Sequence, residues 1–201
     1  DALSVLIGLQ KPENLKKIIK EQKEKKENIV LLIEGNFEDI GYKSEVKSRK
    51  KLPRDYALRL ACEKATKISG DFPNHIVLAA DTAVSVGRRI LPKAQTIADA
   101  KYCLQLISGR SHRVFTGVAL VKSNGELLKR VVETRLKVKR LSEVELKNYI
   151  QSREWQGKAG GYSIQGSAES FVTKIVGSYS NVVGLPLYET RNMLQGSGYI
   201  L

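Results

Sequence analysis

The sequence is poor in the residues that build disulfide scaffolds, metal centres and catalytic triads. Its 201 residues include only two cysteines and two histidines. Cys62, Cys103, His75 and His112 stand apart along the chain, without the spacing of a zinc site. We therefore expect both cysteines to be buried thiols in a reducing compartment. No serine–histidine–acid order stands out, so nothing in the sequence points to a triad hydrolase.

Long apolar runs are missing too. No stretch approaches the roughly 20 residues that cross a bilayer, and the opening segment DALSVLIGLQ lacks the basic region and small-residue cleavage site of a signal peptide. We expect a cytoplasmic protein with no membrane segment. Hydrophobic residues still make up 42% of the chain, enough to fill a core, and the length suits one domain.

Negative charge is scarce relative to positive charge. The chain has 34 lysines and arginines against 21 acidic residues, which gives a formal net charge of +13. Such a balance suits a polyanionic partner, which is nucleic acid, a nucleotide phosphate or an anionic membrane surface. Charge alone does not choose among these partners.

The spacing of apolar residues predicts an α/β chain with a mixed sheet. A helix begins at Pro53 and stops at Gly70, and the next strand starts at His75 and ends on Asp81. Gly87 marks a hairpin turn. Before them, the pattern predicts a strand near the N-terminus, a helix from Pro12 to residue 26 and a strand over 28–33. After them, it predicts a helix over 96–107 and two strands over 112–122 and 126–140, joined by the hairpin Ser123-Asn124-Gly125. A helix then runs from the capping box of Ser142 and Glu145 to Gln151, and a C-terminal helix covers 184–196.

Asp81 is the first candidate for chemistry. A carboxylate on a buried strand is held rigidly, and it can bind a divalent cation or accept a proton from a water molecule beside a phosphate. The alternative is a turn or helix cap, because aspartate followed by threonine often serves turns.

Lysines and arginines form the second group of candidates. Lys64 lies on the helix that begins at Pro53, and Lys93 follows the hairpin that carries Arg88 and Arg89. A triphosphate needs several positive charges that converge on one place. The alternative for each of these residues is an ordinary solvated side chain.

A glycine-rich loop, GKAGGYSIQG over residues 157–166, is the third candidate. Glycine lets the backbone approach a ligand closely, and Gln165 offers a donor and an acceptor that suit the edge of a base. The alternative is a surface loop rich in turns. The segment lacks the spacing of a P-loop or a Rossmann fingerprint.

Four segments together resemble the Maf family of nucleoside triphosphate pyrophosphatases. AADTAVSVGRRILPKA (79–94) is similar to the family's ADT…G…ILGKP, and LISGRSHRVFTGVAL (106–120) to LSG..H.V.TGV. VVETRLKVKRLSEVELKNYIQSRE (131–154) and GKAGGYSIQGSAESFVTKIVGSYSNVVGLPLYET (157–190) resemble VET.V.F..LS..EI..YI..GE and DKAGAYGIQG.GA.F…I.GSY..VVGLPL. The resemblance covers residues 52–189, in family order, within a single Maf-like domain over 1–201 whose first 51 residues diverge.

The resemblance implies a fold, an activity and a set of roles. The fold is a mixed twisted sheet flanked by helices, related to the inosine triphosphate pyrophosphatases, with two lobes and a cleft between them. The activity is cleavage of dTTP, UTP or modified nucleotides to the monophosphate and pyrophosphate, with Mg²⁺ or Mn²⁺, by a homodimer. Matched to the family motifs, the residues have these roles: Asp81 as proton acceptor for the attacking water, Lys64 and Lys93 at the phosphates, Thr82 and Gln165 at the base, and Glu45 near a family acidic position.

The first 51 residues depart from the family. Where the family has S.SPRR, a loop that gives two arginines to the triphosphate, this chain reads GLQKPENLKK, with Glu13 and Asn14 in place of both arginines. Losing two such contacts, at roughly 1.5–3 kcal/mol each, weakens transition-state binding. An altered N-terminal half and a frameshifted stretch are both open explanations. The rival function is therefore a catalytically impaired relative that binds nucleotide or, weakly, nucleic acid without hydrolysis.

Overall fold

A computed structural model describes residues 29–33, as backbone, and residues 52–199. The predicted elements before residue 28 lie outside these ranges. The strands are β1 Ile29–Ile33, β2 Ile76–Val86, β3 Arg89–Leu91, β4 Ser111–Val121, β5 Leu127–Val138 and β6 Val172–Val176. The helices are α1 Pro53–Ser69, α2 Ile97–Ile107, α3 Glu143–Ser152, α4 Tyr179–Val183 and α5 Leu187–Gly196, with a 3-10 helix at Ser167–Phe171. No helix in the described ranges combines the length and the apolar character needed to cross a membrane.

The strands form one mixed sheet, as the sequence predicts. Its order is β1-β2-β4-β5-β6, and β3 pairs with β2 off this path. β1 runs parallel to β2, and the other pairings are antiparallel. The two predicted hairpins are confirmed: Gly87 and Gly125 take the positive φ values of 59° and 84° that their tight turns require.

Both faces of β2 are buried, because helices cover the sheet on each side. Successive side chains of a strand point to opposite faces. On one face, Val77 and Ala79 pack against Ala61 and Ala65 of α1. On the other face, Leu78 and Ala80 contact the C-terminal segment, and Val84 joins the large core cluster beneath α2 and α3. The core of the protein therefore lies on both sides of the strand that carries Asp81.

Gly117 sets how closely α1 approaches the sheet. It lies on β4 directly across from Asp81. A Cβ atom at this position would lie 2.5 Å from the Leu58 Cα atom and 2.6 Å from the Ala57 carbonyl oxygen, closer than real Cβ atoms come. The glycine thus lets the helix backbone rest on the strand beside Asp81.

A buried polar pair joins β4 to the glycine-rich loop. The Nε2 atom of His112 lies 2.7 Å from the Tyr162 hydroxyl oxygen, and the two rings meet edge to face with centroids 5.4 Å apart. His112 is 1% exposed. Burial lowers the pKa of His112 to about 4, because the charged imidazolium loses its hydration.

Substitution of Gly117 by alanine is expected to destabilise the protein. The added methyl group must push α1 away from β4, and such overpacking costs about 1–3 kcal/mol of unfolding free energy. Urea denaturation would measure the loss. Gly196→Ala is the matched control, because nothing lies within 4 Å of the new methyl group there. Equal midpoints for the two variants would contradict this account of Gly117.

Acid is expected to unfold the protein partly through His112. Its pKa is lower in the folded state than the ordinary value of 6.5, so the unfolded chain binds the extra proton first. Stability is therefore lost as the pH falls from 6.5 toward 4. His112→Gln removes this titration, and its unfolding free energy should fall less steeply across that range in urea titrations. Parallel curves for the variant and the native protein would refute the assignment.

Candidate active site

Asp81 lies in the middle of β2. The strand continues for five residues beyond it, because β4 pairs with β2 as far as Ser85 and β3 pairs with its last three residues. The prediction that a strand ends on Asp81 is therefore wrong, and so is the alternative of a turn cap. The carboxylate is 5% exposed and sits on the face of the sheet that α1 covers.

Lys64 of α1 meets Asp81 in a buried ion pair. The lysine ammonium donates a hydrogen bond to Asp81 Oδ1, and both side chains are almost fully shielded from solvent. The alternative of a solvated lysine does not hold for Lys64, which is 4% exposed. A buried pair contributes little to stability compared with apolar residues of the same size. α1 and β2 thus hold two opposite charges together inside the fold.

The edge of β2 away from β4 has two described neighbours. β1 pairs with residues 76–80 of β2, and β3 pairs with residues 84–86 on the same edge. Within the described ranges, residues 81–83 have a strand partner only on the β4 side. Because neighbouring side chains of a strand alternate, Asp81 and Thr82 point to opposite faces of the sheet.

Lys93 is half-buried and follows β3 by two residues. Burial is the main cause that raises the pKa of the Tyr56 hydroxyl; the Asp81 carboxylate raises it further, while the Arg59 and Lys93 cations lower it. Tyr56 is therefore within electrostatic reach of both Asp81 and Lys93.

Tyr56 is a site residue that the sequence motifs did not single out. It is half-buried in the first turn of α1, where its ring lies 5.7 Å from the Arg59 guanidinium carbon. Residues four apart share a helix face, so Tyr56, Leu60 and Lys64 line up. The sequence therefore contained a signal for Tyr56: a tyrosine eight residues before Lys64 lies on the helix face that meets Asp81.

A pocket opens on the other face of the sheet. Thr82 and Val84 of β2 form part of it, and the glycine-rich loop adds Tyr162 and Gln165. It is a small pocket whose exposed lining is mainly polar. The remaining lining residues are Val114, Lys158, Ala159, Ser163, Ile164, Val182 and Val183.

The glycine-rich loop is packed against β2 and tied to the segment around Lys93. Gly160 has a φ of 72°, and a Cβ atom there would lie 2.8 Å from a methyl carbon of Val84. Lys93 forms a backbone bridge with Ala159. Backbone hydrogen bonds also join residues 92 and 94 to the loop at 157, 158 and 160, over 2.8–3.1 Å. The alternative of an ordinary surface loop is therefore wrong for residues 160–164, although Gln165 itself is exposed.

A buried polar network lies beneath the pocket. The hydroxyl oxygens of Thr82 and Thr116 are 2.9 Å apart, and Thr116 Oγ1 lies 3.0 Å from the Asn181 carbonyl oxygen. The Asn181 amide donates to the Val114 carbonyl oxygen and to Thr134 Oγ1. The network joins α4 to the sheet directly behind Thr82.

Three further candidates complete the comparison with the sequence analysis. Arg88 and Arg89 are exposed on the β2–β3 hairpin, as the solvated alternative predicts. Glu45 lies outside the described residues, so its role stays a prediction. Lys64 and Asp81 thus meet on the α1 side of β2, Lys93 lies in the segment tied to the glycine-rich loop, and Thr82 and Gln165 share the pocket on the other face.

Asp81 offers the donor chemistry of a divalent-cation site. The described residues include no cluster of three or more histidine, cysteine or carboxylate side chains that would hold a metal ion on its own. Mg²⁺ in nucleotide sites is usually bound by one or two carboxylates together with substrate phosphates and water. A single carboxylate fits a cation that arrives with its substrate.

Comparisons with known proteins identify relatives of this chain. Residues 30–197 match the family described as Maf-like protein. A dTTP/UTP pyrophosphatase of Caulobacter vibrioides is 56% identical over 155 residues, which span 77% of this chain and 80% of that protein. Proteins of the same name from Mesorhizobium japonicum and Brucella abortus are 54% and 55% identical over 162 and 161 residues, and each alignment spans 77% of both chains.

The resemblance seen in the sequence motifs is thereby confirmed. The family match covers most of the chain, and three relatives share more than half of the aligned residues with it. The residues matched to the family also include the ion pair and the pocket. The chain belongs to the Maf family.

Proposed function

We propose that this protein is a nucleoside triphosphate pyrophosphatase that converts dTTP, UTP or modified nucleotides to the monophosphate and pyrophosphate. The observation that carries the proposal is a buried acid–lysine pair on one face of β2 and a pocket on the other face, beside the next residue of the strand. The relatives named dTTP/UTP pyrophosphatases support the same activity.

In this proposal, the two faces of β2 serve different parts of the nucleotide. The base enters the pocket beside Thr82 and Gln165, and the triphosphate lies toward Asp81. Asp81 accepts a proton from a water molecule whose oxygen attacks the α-phosphorus in line. The bond from that phosphorus to the bridging oxygen breaks, and pyrophosphate leaves. Lys64 and Lys93 stabilise the negative charge that develops on the phosphates.

A divalent cation, Mg²⁺ or Mn²⁺, is part of the proposal. Asp81 and the substrate phosphates would hold it. When bound, such an ion polarises phosphoryl oxygens and offsets their charge. The protein's own contribution is a carboxylate fixed on the rigid centre of β2.

The rival function is an impaired relative that binds without hydrolysis. This alternative is considered because the segment GLQKPENLKK lacks the two arginines of the family. The segment lies outside the described residues. The relatives named pyrophosphatases favour the enzyme over this rival. A cytoplasmic location, a homodimer and weak binding of nucleic acid stay predictions.

The substitution Asp81→Asn is expected to abolish pyrophosphate release while UTP still binds. The amide keeps the size of the side chain but cannot accept the proton, and general-base catalysis of this kind contributes about 10²–10⁴-fold in rate. Pyrophosphate release from UTP and dTTP would measure turnover, and calorimetry would measure binding. Turnover equal to that of the native protein would remove Asp81 from the mechanism.

The control for this variant concerns the buried partner charge. Asp81→Asn alone removes the negative charge of the buried pair, and breaking such a pair on one side destabilises a protein. The double variant Asp81→Asn with Lys64→Gln removes both charges, and it should be inactive although its urea midpoint recovers. Asp71→Asn, an exposed carboxylate just beyond α1, should keep full activity.

Removal of divalent cations is expected to stop the reaction. EDTA should abolish pyrophosphate release, and added Mg²⁺ or Mn²⁺ should restore it, because the phosphates need a counter-charge beyond the two lysines. The measurement is the initial rate before and after each addition. Full activity after EDTA treatment and dialysis would refute the metal requirement.

A further inference from the structure

Four positively charged side chains lie next to one another on β4, β5 and β6. Arg113 lies directly across from Arg135, and Lys137 lies directly across from Lys174. Because Arg135 and Lys137 are two residues apart on β5, the two pairs point to the same face of the sheet. All four side chains are exposed. Together these four residues form a basic face.

The basic face is the part of this sheet surface that α1 leaves exposed. α1 packs on Phe115 and Ala119 of β4 and rests on Gly117 between them. These three residues alternate along the strand, and Arg113 is the next residue of β4 on the same side. The basic face therefore lies on the same side of the sheet as the buried ion pair that α1 makes with β2.

The charges of the basic face are unfavourable for the protein on its own. Residues directly opposite each other on neighbouring strands have Cβ atoms about 5 Å apart, and like charges in such pairs destabilise a sheet. β4, β5 and β6 place one acidic side chain on this side, Glu133, which forms an ion pair with Arg113 at 3.0 Å. Among the described residues, no carboxylate pairs with Arg135, Lys137 or Lys174. Four cations less one carboxylate leave a net charge of +3.

The chemistry of the basic face favours a partner that brings negative charge alone. Phe115 is the one aromatic residue that β4, β5 and β6 place on this side, and it is 6% exposed. Membrane-binding surfaces carry Trp, Phe or Leu beside their cations, and proteins that hold single-stranded nucleic acid stack the bases on aromatic rings. The basic face has only the aliphatic Val176 at its edge. An open, exposed sheet surface also cannot enclose a small ligand.

We propose that the basic face binds the phosphate backbone of double-stranded DNA without reading the base sequence. In a duplex the bases are stacked inside and the phosphates line the outside, so the partner presents charge and needs no aromatic ring. The duplex carries one negative charge per about 1.7 Å of its axis, and three neighbouring strands span about 10 Å. Several phosphates can therefore meet the cations at once. The inference is independent of the proposed function, because it uses neither the ion pair nor the pocket.

The first experiment measures binding by the native protein at several salt concentrations. Fluorescence anisotropy would follow a labelled DNA duplex, the matching single strand and, by co-sedimentation, vesicles of phosphatidylcholine and phosphatidylserine. A net charge of +3 on the face predicts that the logarithm of the duplex binding constant falls with the logarithm of salt concentration with a slope of about −3. No binding of the duplex, tighter binding of the single strand, or binding of the vesicles in place of DNA would each overturn the proposal.

The second experiment removes charge from the face. The double variant Arg135→Gln with Lys137→Gln loses two cations, so its salt slope should fall by about 2 and its duplex binding by roughly 100-fold at about 50 mM salt. Lys147→Gln with Arg191→Gln is the matched control, because it loses the same charge from exposed positions on α3 and α5, which pack on the opposite side of the sheet. An equal loss of binding in the two double variants would assign the effect to net charge and overturn the proposal.

Two further measurements separate the proposal from its alternatives. The basic-face variant should keep its rate of pyrophosphate release from UTP and its urea midpoint, because the substituted side chains are exposed and lie outside the proposed site. Loss of turnover with unchanged duplex binding would assign the face to the nucleotide and overturn the proposal. If the double variant does not fold, Lys174→Gln, a single change on the edge strand, replaces it. Its salt slope should fall by about 1, and an unchanged slope would refute the role of the face.

Discussion

The site depends on one constraint: two opposite charges, buried together, must be held by elements that cannot drift apart. Asp81 meets this condition because it lies at the centre of a strand that is packed on both faces, with β4 beside it. Lys64 meets it because α1 rests directly on Gly117, the cross-strand neighbour of Asp81. Because Gly117 has no side chain, α1 lies close enough to β4 for the Lys64 ammonium group to reach the Asp81 carboxylate. The rest of the site is arranged around that contact.

Alternation along β2 explains how one strand faces two different environments. It sends Asp81 and Thr82 to opposite faces of the sheet. The buried ion pair lies on the α1 side, and the pocket lies on the side of the glycine-rich loop. On the proposed function, the phosphates and the base of a nucleotide are then read by neighbouring residues of one strand.

The sequence predicts much of this architecture and part of the site. The α/β class, both glycine hairpins and the capping box of Ser142 follow from local patterns, because turn and cap chemistry depends on neighbouring residues. The continuation of β2 past Asp81 could not be predicted, since a carboxylate inside a buried strand is tolerated only because a lysine from another element meets it. Neither Tyr56 nor the buried network of Thr82, Thr116 and Asn181 carries a local signal as strong as a motif. Both depend on contacts between segments distant in sequence.

The backbone ties between the segment around Lys93 and the glycine-rich loop have a mechanical consequence. Three hydrogen bonds and the bridge from Lys93 to Ala159 make the pocket wall and the cation-bearing segment one unit. A bulky occupant that forces the wall outward must therefore move the Lys93 backbone with it. On the proposed function, an occupant that does not fit the pocket would displace a phosphate-binding lysine, without a hinge or a separate sensing domain.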